Sequence, residues 1–138
     1  MIRYTDSLDG VTSEALGGGF FVGWPNPPSP ETHLRLLRGS AHVWLAVDDA
    51  SGQVVGFVTA VSDLVLAAYI PLLEVLPEYQ GQGIGTALMQ RMLESLSDIY
   101  MVDLLCDADL QPYYERLGMR RATGMLVRNY AAQSGRAT

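Results

Sequence analysis

Three alternating glycines, Gly81, Gly83 and Gly85, form the part of this sequence best suited to chemistry. An apolar run from Leu72 to Leu76 precedes them and a strongly helical segment follows, so the pattern predicts a strand, a glycine turn and a helix start. Glycine lacks a Cβ atom and adopts positive φ angles, which lets backbone amides converge on an anion. The first turn of the helix adds free N–H groups and the positive end of its dipole. We therefore expect the segment to bind a phosphate or a pyrophosphate.

Two common phosphate-binding loops do not fit these glycines. A nucleoside-triphosphate loop needs Gly-Lys-Ser/Thr, and no lysine lies near the glycines. A dinucleotide fingerprint beginning at Gly81 needs a glycine at position 86, which is Thr86. Both interpretations are excluded by residue identity.

The hexapeptide from Gln80 to Gly85 resembles the motif Q/R-x-x-G-x-G/A of the GNAT superfamily of N-acetyltransferases. In that family the motif holds the pyrophosphate of acetyl-CoA. The flanks are also typical of the family, with Pro77 and Tyr79 before the loop and Ala87 and Leu88 after it. The loop residues that the resemblance assigns to acetyl-CoA binding are Gln80, Gly81, Gln82, Gly83, Ile84, Gly85 and Thr86.

A second motif lies downstream, where the heptapeptide from Tyr113 to Met119 is similar to the family's F-Y-E-K-L-G-F segment. The resemblance covers about residues 42 to 128, and nothing in the first forty residues contributes to it. In the family the tyrosine beside the glutamate is a general acid, which implies that Tyr114 protonates the coenzyme A thiolate as it leaves. An ordinary tyrosine pKa near 10 keeps that proton available at neutral pH. The alternative, packing of the ring on the sheet, is the one we favour for Tyr113.

The resemblance also assigns two backbone amides. In the family the strand before the glycine loop separates from its neighbour and presents free amides to acetyl-CoA. By position, the Leu73 amide would polarise the acetyl carbonyl and the Val75 amide would bind the pantetheine arm. One oxyanion donor of this kind contributes about 10²- to 10³-fold in rate.

Glu74 is our candidate for the base that deprotonates the ammonium group of the acceptor, directly or through water. It is the only charged residue between Leu72 and Leu76, and a charge in a strand covered on both faces rarely lacks a role. The alternative is a salt bridge or a partly solvated position. Asp63, Asp103 and Asp107 are rival bases. Many family members have an asparagine near the cofactor at the position of Asp107.

Cys106 and the two histidines do not indicate a nucleophile or a metal site. A lone cysteine at the end of an apolar strand is more often an inert small hydrophobe than a nucleophile, so we expect direct attack in a ternary complex and no acyl-cysteine. His33 and His42 are far apart and lack companion ligands, so we predict no metal site.

The aromatic residues of the proline-rich segment 20–30 have two possible roles. In the family the segment between the first two helices borders the acceptor pocket, which implies that Phe20, Phe21 and Trp24 line it. Anchoring of this loop to the core explains the same residues equally well.

The remaining pattern predicts an α/β (α+β layered) domain. The resemblance implies a GNAT-like mixed, mostly antiparallel central sheet flanked by about four helices. Ser29, Pro30 and Glu31 signal a helix start. Pro71 requires its strand to be at an edge, bulged or unpaired. Strands are predicted at 2–5, 42–47, 54–61, 64–76, 101–106 and 125–130. Helices are predicted at 9–16, 30–39, from the glycine loop to about 97, and at 112–118.

Size and composition limit the remaining possibilities. A chain of 138 residues with 49% hydrophobic content suits one domain, which we assign to 1–130, with a frayed tail at 131–138. The net charge of −6 and only nine basic residues argue against nucleic acid. A single cysteine, no signal-peptide pattern and no apolar run long enough to cross a bilayer indicate a cytoplasmic protein without a membrane segment.

These observations lead to one functional hypothesis and its competitors. We expect an N-acetyltransferase that uses acetyl-CoA to acetylate a primary amine, as a monomer or homodimer. The acidic surface favours a small cationic acceptor. The alternatives are acetylation of a protein N-terminus or lysine, a non-catalytic acyl-CoA-binding module, and a structural domain whose glycine loop is only a turn.

Overall fold

The sheet is mixed and mostly antiparallel, as predicted. The computed structural model describes residues 1–137, in which five strands lie in the spatial order β1-β2-β3-β4-β5. Neighbouring strands pair antiparallel except β4 and β5, which are parallel. The strands are β1 Ile2–Thr5, β2 His42–Asp48, β3 Val54–Ser62, β4 Ala67–Val75 and β5 Met101–Asp103. The α-helices of the described residues are α1 Pro30–Gly39, α2 Ile84–Ser95 and α3 Gln111–Arg116, three where about four were expected.

Helix α1 begins where its sequence signals predict. The Ser29 hydroxyl accepts a hydrogen bond from the Thr32 N–H at 3.1 Å, and Pro30 occupies the first helical position. The helix ends at Gly39, and its inward face buries His33 and Leu37. A short apolar face and a correct cap therefore suffice to place this helix on the sheet.

Helices α1 and α2 cover opposite faces of the sheet. Side chains alternate between the two faces along β3, so neighbouring residues of this strand face different helices. Phe57 points towards α1, with its ring centroid 4.4 Å from that of His33. Gly56 faces α2, since a Cβ atom built on it would lie 3.1 Å from Leu88 Cδ1 and 3.3 Å from Ile84 Cγ2. The missing side chain at position 56 thus lets α2 approach the sheet closely.

Strand β4 bends at Pro71. Thr59 pairs with Leu72 and Val61 with Tyr69, so Ile70 and Pro71 together oppose a single residue of β3. This is a β-bulge, one of the three situations predicted for a proline in this strand. Strand β5 pairs with β4 only over Ala67–Tyr69, and the rest of β4 therefore has an open edge on that side.

Two predicted elements are wrong. Residues 9–16 form only the 3₁₀ turn Glu14–Leu16, because Gly10 has φ +76°, which lies outside the right-handed helical region. The strand predicted at 125–130 is absent: Met125 is 96% and Val127 79% exposed. These residues have β propensity, but such propensity depends on packing against a partner strand, and none lies alongside within the described residues.

The tail, for which the sequence predicts fraying, has contacts with the first half of the chain. The Asn26 N–H donates to the Gln133 side-chain oxygen at 2.9 Å, and the Arg35 guanidinium donates to the Arg136 carbonyl. Thr138 lies outside the described residues. Among the helices in residues 1–137, none is long and apolar enough to cross a membrane.

The packing of α2 on β3 predicts the effect of truncating Leu88, which is fully buried. Leu88→Ala should lower the free energy of unfolding by about 2–5 kcal/mol, because it removes a buried side chain and leaves a cavity. Urea denaturation followed by tryptophan fluorescence measures this. Gln90→Ala, an exposed position on the same helix, is the control and should change stability by less than about 0.5 kcal/mol. Equal effects would contradict the packing described.

Candidate active site

The open edge of β4 forms one wall of a cleft of about 550 Å³. The opposite wall follows β5 and includes Leu104, Leu105 and Cys106, while Tyr114 of α3 also lines the cleft. The residues of β4 that line the cleft are Ile70, Pro71, Leu72, Leu73, Glu74 and Val75. The structure therefore brings the predicted base, the predicted acid and the two predicted amide donors to one cavity.

The amides of Leu73 and Val75 face this cleft. The Leu76 N–H donates to the Val55 carbonyl at 2.8 Å, and in an antiparallel pair successive residues alternate between bonding to the partner strand and facing away. Leu73 and Val75 are the alternate residues, so their N–H groups point to the open edge. The Gln80 side-chain amide donates to the Val75 carbonyl at 3.0 Å, which shows that this outer side is accessible to polar partners.

The glycine loop has the backbone that the sequence predicts. Gly81 has φ +79° and Gly83 has φ +81°, and a Cβ atom on either would meet nothing within 4 Å. These glycines are needed for their backbone conformation and not for space. At Gly85 a Cβ atom would make only ordinary contacts, at 3.7 Å from Tyr113 Oη and from Val75 Cγ2. This agrees with the motif's tolerance of alanine at that position.

The start of α2 is free to bind an anion. The Ala87 N–H donates to the Gly83 carbonyl at 3.0 Å, so the N–H groups of Ile84, Gly85 and Thr86 precede the first intrahelical bond. No acidic side chain lies in the first turn to neutralise the helix dipole. These residues fit the pyrophosphate of a coenzyme A thioester.

The structure gives Tyr113 a contact that the sequence does not indicate. Its hydroxyl and that of Thr86 lie 3.0 Å apart and form a hydrogen bond between α3 and the first turn of α2. Its ring also packs edge-to-face on Tyr114, with centroids 5.0 Å apart. Tyr113 thus joins the loop side of the cleft to the predicted general acid.

Glu74 is half-buried and is held by the start of the proline-rich segment 20–30. The N–H groups of Phe21 and Val22 donate to its Oε1 at 2.6 and 3.3 Å. Burial raises the pKa of Glu74, and these two hydrogen bonds oppose the increase. Both bonds end on Oε1, so Oε2 is the oxygen left to accept a proton. The arrangement suits a base with an affinity for protons above that of an ordinary carboxylate.

Tyr114 is also half-buried at the cleft. Burial raises the pKa of Tyr114 to about 12, with smaller contributions from Tyr113 and Cys106. The phenol therefore keeps its proton throughout the physiological range. It can donate a hydrogen bond to a developing negative charge but cannot act as a base there.

Two of the three rival bases, Asp63 and Asp103, do not line the cleft. The Asp63 carboxylate accepts hydrogen bonds from the Val65, Leu66 and Ala67 N–H groups, which lower its pKa and fix a turn. Asp103 does not line the cleft. Asp107 and Cys106 do line it, and Cys106 is a free thiol.

The three aromatic residues of the proline-rich segment divide between the two roles considered for them. Phe20 and Phe21 are buried in the core against Phe57. Trp24, 38% exposed, packs on Phe21 and lines the cleft. Phe20 and Phe21 therefore anchor the segment to the core, and Trp24 is the aromatic residue of the three that lines the cleft.

The structure adds cleft residues that no sequence signal indicated. Leu126 and Arg128, from the segment where a strand was predicted, both line it. In residues 1–137 no group of three or more His, Cys, Asp or Glu side chains is placed to hold a metal ion.

Comparison with solved structures places the fold among the acetyltransferases. A crystal structure from Deinococcus radiodurans R1, provisionally described as an acetyltransferase, is 52% identical with a TM-score of 0.95 over 99% of this chain and 94% of its own. A GNAT-family acetyltransferase from Streptococcus pneumoniae TIGR4 is 30% identical with a TM-score of 0.75, covering 94% of this chain and 98% of its own.

This chain belongs to the acetyltransferase (GNAT) family, whose family model matches residues 12–119. The resemblance inferred from the two sequence motifs is thereby confirmed, and membership implies acetyl-CoA as co-substrate. Among curated proteins, an uncharacterized N-acetyltransferase, ycf52 of Porphyra purpurea, is 30% identical over 100 residues. The match covers 70% of this chain and 58% of that protein, so the chain spans little more than half of its length.

The left-handed backbone at Gly83 predicts a loss of acetyl-CoA affinity when a side chain is added. Gly83→Ala places an L-residue at φ +81°, which costs about 1–2 kcal/mol and tends to rotate the loop amides. We expect acetyl-CoA to bind about tenfold more weakly by titration calorimetry. Gly52→Ala is the matched control, because Gly52 has φ +74° in the β2–β3 turn away from the cleft. It should lower stability similarly while leaving affinity unchanged, and a loss of affinity in both variants would refute the assignment.

The raised pKa of Glu74 predicts that its charge destabilises the folded protein. A raised carboxyl pKa means that the folded state holds the proton more tightly than the unfolded chain does, so stability falls as pH rises between the unfolded and folded pKa values. Glu74→Gln should therefore raise the melting temperature at pH 8, and the gain should shrink below the unfolded pKa. Calorimetry at several pH values checks this, with exposed Glu78→Gln as control. A lower melting temperature at pH 8 would show that the two amide bonds outweigh burial.

Proposed function

We propose that this chain transfers the acetyl group of acetyl-CoA to a primary amine by direct attack in a ternary complex, and that the acceptor is a small amine. The observation that carries this proposal is the shared cleft. Amides of Leu73 and Val75, the carboxylate of Glu74 and the phenol of Tyr114 all border it, and Gln80 of the glycine loop lines it too.

Each group has a role that follows from its position. Bound acetyl-CoA supplies an acetyl thioester, held by the loop 80–86 and the Val75 amide. Glu74 Oε2 accepts a proton from the ammonium group and leaves a nucleophilic amine. The Leu73 N–H donates to the carbonyl oxygen as it gains negative charge. As the carbon–sulfur bond breaks, the Tyr114 hydroxyl donates its proton to sulfur, and the phenolate takes up the proton that the newly acetylated nitrogen releases. Glu74 then gives the proton it accepted to solvent.

The charges and rings of the cleft favour a cationic acceptor with an apolar portion. Glu74 and Asp107 supply two negative charges against the single positive charge of Arg128. The exposed face of Trp24 offers an apolar wall that also attracts cations. Val22 and Leu72 extend this apolar surface beside Glu74.

A protein amine is the second candidate acceptor. It is favoured by one relative, a soybean protein (Glycine max) named histone acetyltransferase TAP1, which is 31% identical over 107 residues. The match covers 70% of this chain and 46% of that protein.

The proposal predicts the behaviour of Tyr114→Phe. We expect turnover to fall about 10²- to 10⁴-fold because the proton donor is lost, while acetyl-CoA affinity is retained. The measurement is release of free thiol from acetyl-CoA over a panel of small amines and peptides with free lysine or N-terminal groups. Tyr100→Phe, a highly exposed position, is the matched control and should retain full turnover.

The same assay distinguishes the alternatives. Turnover of peptides in preference to small amines would identify a protein acetyltransferase. Acetyl-CoA binding without turnover of any amine would indicate a non-catalytic binding module. Unchanged turnover in Tyr114→Phe would remove this residue from the mechanism.

A further inference from the structure

His33 is a buried titratable residue for which the proposed mechanism has no use. It projects from α1 into the core and is 1% exposed. Its ring is surrounded by three phenylalanines, with centroid distances of 4.4 Å to Phe57, 5.0 Å to Phe21 and 5.3 Å to Phe20. The histidine is therefore part of an aromatic cluster between α1, β3 and the proline-rich segment 20–30.

The imidazole is in an unfavourable environment. Burial lowers the pKa of His33 to about 4, so the ring is uncharged at neutral pH. Its Nε2 atom has no hydrogen-bond partner in the described part of the chain. An unsatisfied buried polar atom costs free energy, so the packing of the ring against the three phenylalanines has to offset that cost.

The cluster ends at a strained residue that touches the proposed base. Phe21 has φ +64°, a left-handed conformation that is unfavourable for a bulky side chain. This conformation directs its own N–H and that of Val22 to Glu74 Oε1, at 2.6 and 3.3 Å. The Phe21 ring lies between His33 and Trp24, the latter with a centroid distance of 5.0 Å. Two contacts hold this backbone in place: the ring packing behind Phe21, and the hydrogen bond that its carbonyl accepts from the Trp24 N–H at 3.1 Å.

We propose that His33 is a positioning residue for acetyl transfer. Its flat ring holds Phe21 in the left-handed conformation, which aims two amides at Oε1 of Glu74 and leaves Oε2 directed at the acceptor. This inference rests on the proposed role of Glu74 as the base. His33 itself touches neither substrate.

The test compares His33→Leu with Leu37→Val, which alters another fully buried side chain on the same helix. In ¹⁵N–¹H spectra of the free protein, the wild-type Phe21 amide should resonate downfield and exchange slowly, and Glu74→Gln should reduce the shift. In His33→Leu we expect this signature to be lost, with exchange about tenfold faster or more. Leu37→Val should lower the melting temperature and keep the signature.

Kinetics provide the second readout. His33→Leu should lower kcat about ten- to hundredfold, since a small displacement of a catalytic group has effects of that size, while KM for acetyl-CoA stays within about twofold. The conservative variant His33→Phe restores a flat ring and removes the unsatisfied nitrogen. It should recover the Phe21 signature and most of kcat, with an equal or higher melting temperature.

A further variant keeps the inference testable if His33→Leu does not fold. Phe21→Gly adopts φ +64° without strain but lacks the ring that His33 contacts, so the residue 21 amide should lose its protection. Retention of the signature in that variant, or in His33→Leu, would overturn the proposal and leave His33 as an ordinary core residue. The spectra need neither acetyl-CoA nor an acceptor. Full turnover in Glu74→Gln would instead refute the base assignment while the spectra still report on His33.

Discussion

The separation of β4 from β5 is the constraint on which the rest of the site depends. The two strands pair only up to Tyr69, and the bulge at Pro71 turns β4 away immediately afterwards. A strand edge with unpaired N–H groups is costly inside a protein unless another partner satisfies them. Here the unpaired amides border an open cleft, where water or an extended ligand can bond to them. An acyl-pantetheine arm is such a ligand, so the proposed function makes this edge a binding surface that exists because pairing stops early.

The glycine loop and the two candidate proton-transfer groups are arranged around that opening. The same strand that parts from β5 leads, through the turn Pro77–Tyr79, to Gly81 and α2, so the proposed phosphate-binding loop follows directly from the open edge. Tyr79 fixes this connection, because its hydroxyl donates to Asp48 at 2.8 Å at the far end of β2. In the proposed function, a single continuous segment of chain would therefore set both the thioester end and the pyrophosphate end of acetyl-CoA.

Local signals predicted well those features that depend on neighbouring residues. The cap at Ser29 and the left-handed glycines of the loop each follow from a few adjacent residues. The strand predicted at 125–130 failed because propensity does not say whether a partner strand is available. The contact of Glu74 with Phe21 joins residues 53 positions apart, and it depends on a left-handed phenylalanine that no local rule favours. Sequence therefore identified Glu74 as unusual but could not show which groups hold it.

Several unfavourable local features, including a positive φ angle in a residue other than glycine, lie together in one part of this structure. Two residues other than glycine have positive φ, Phe21 and Leu64, among those the structure describes. At Leu64 the turn accounts for the conformation, since the preceding Asp63 side chain accepts hydrogen bonds from the three amides that follow. At Phe21 the carbonyl accepts a turn hydrogen bond from the Trp24 N–H at 3.1 Å, while the strained amide reaches a half-buried carboxylate in another element. Strain, a carboxylate with a raised pKa and an unsatisfied imidazole thus meet at one place, which is the distribution expected when a site is shaped for reactivity at the expense of stability.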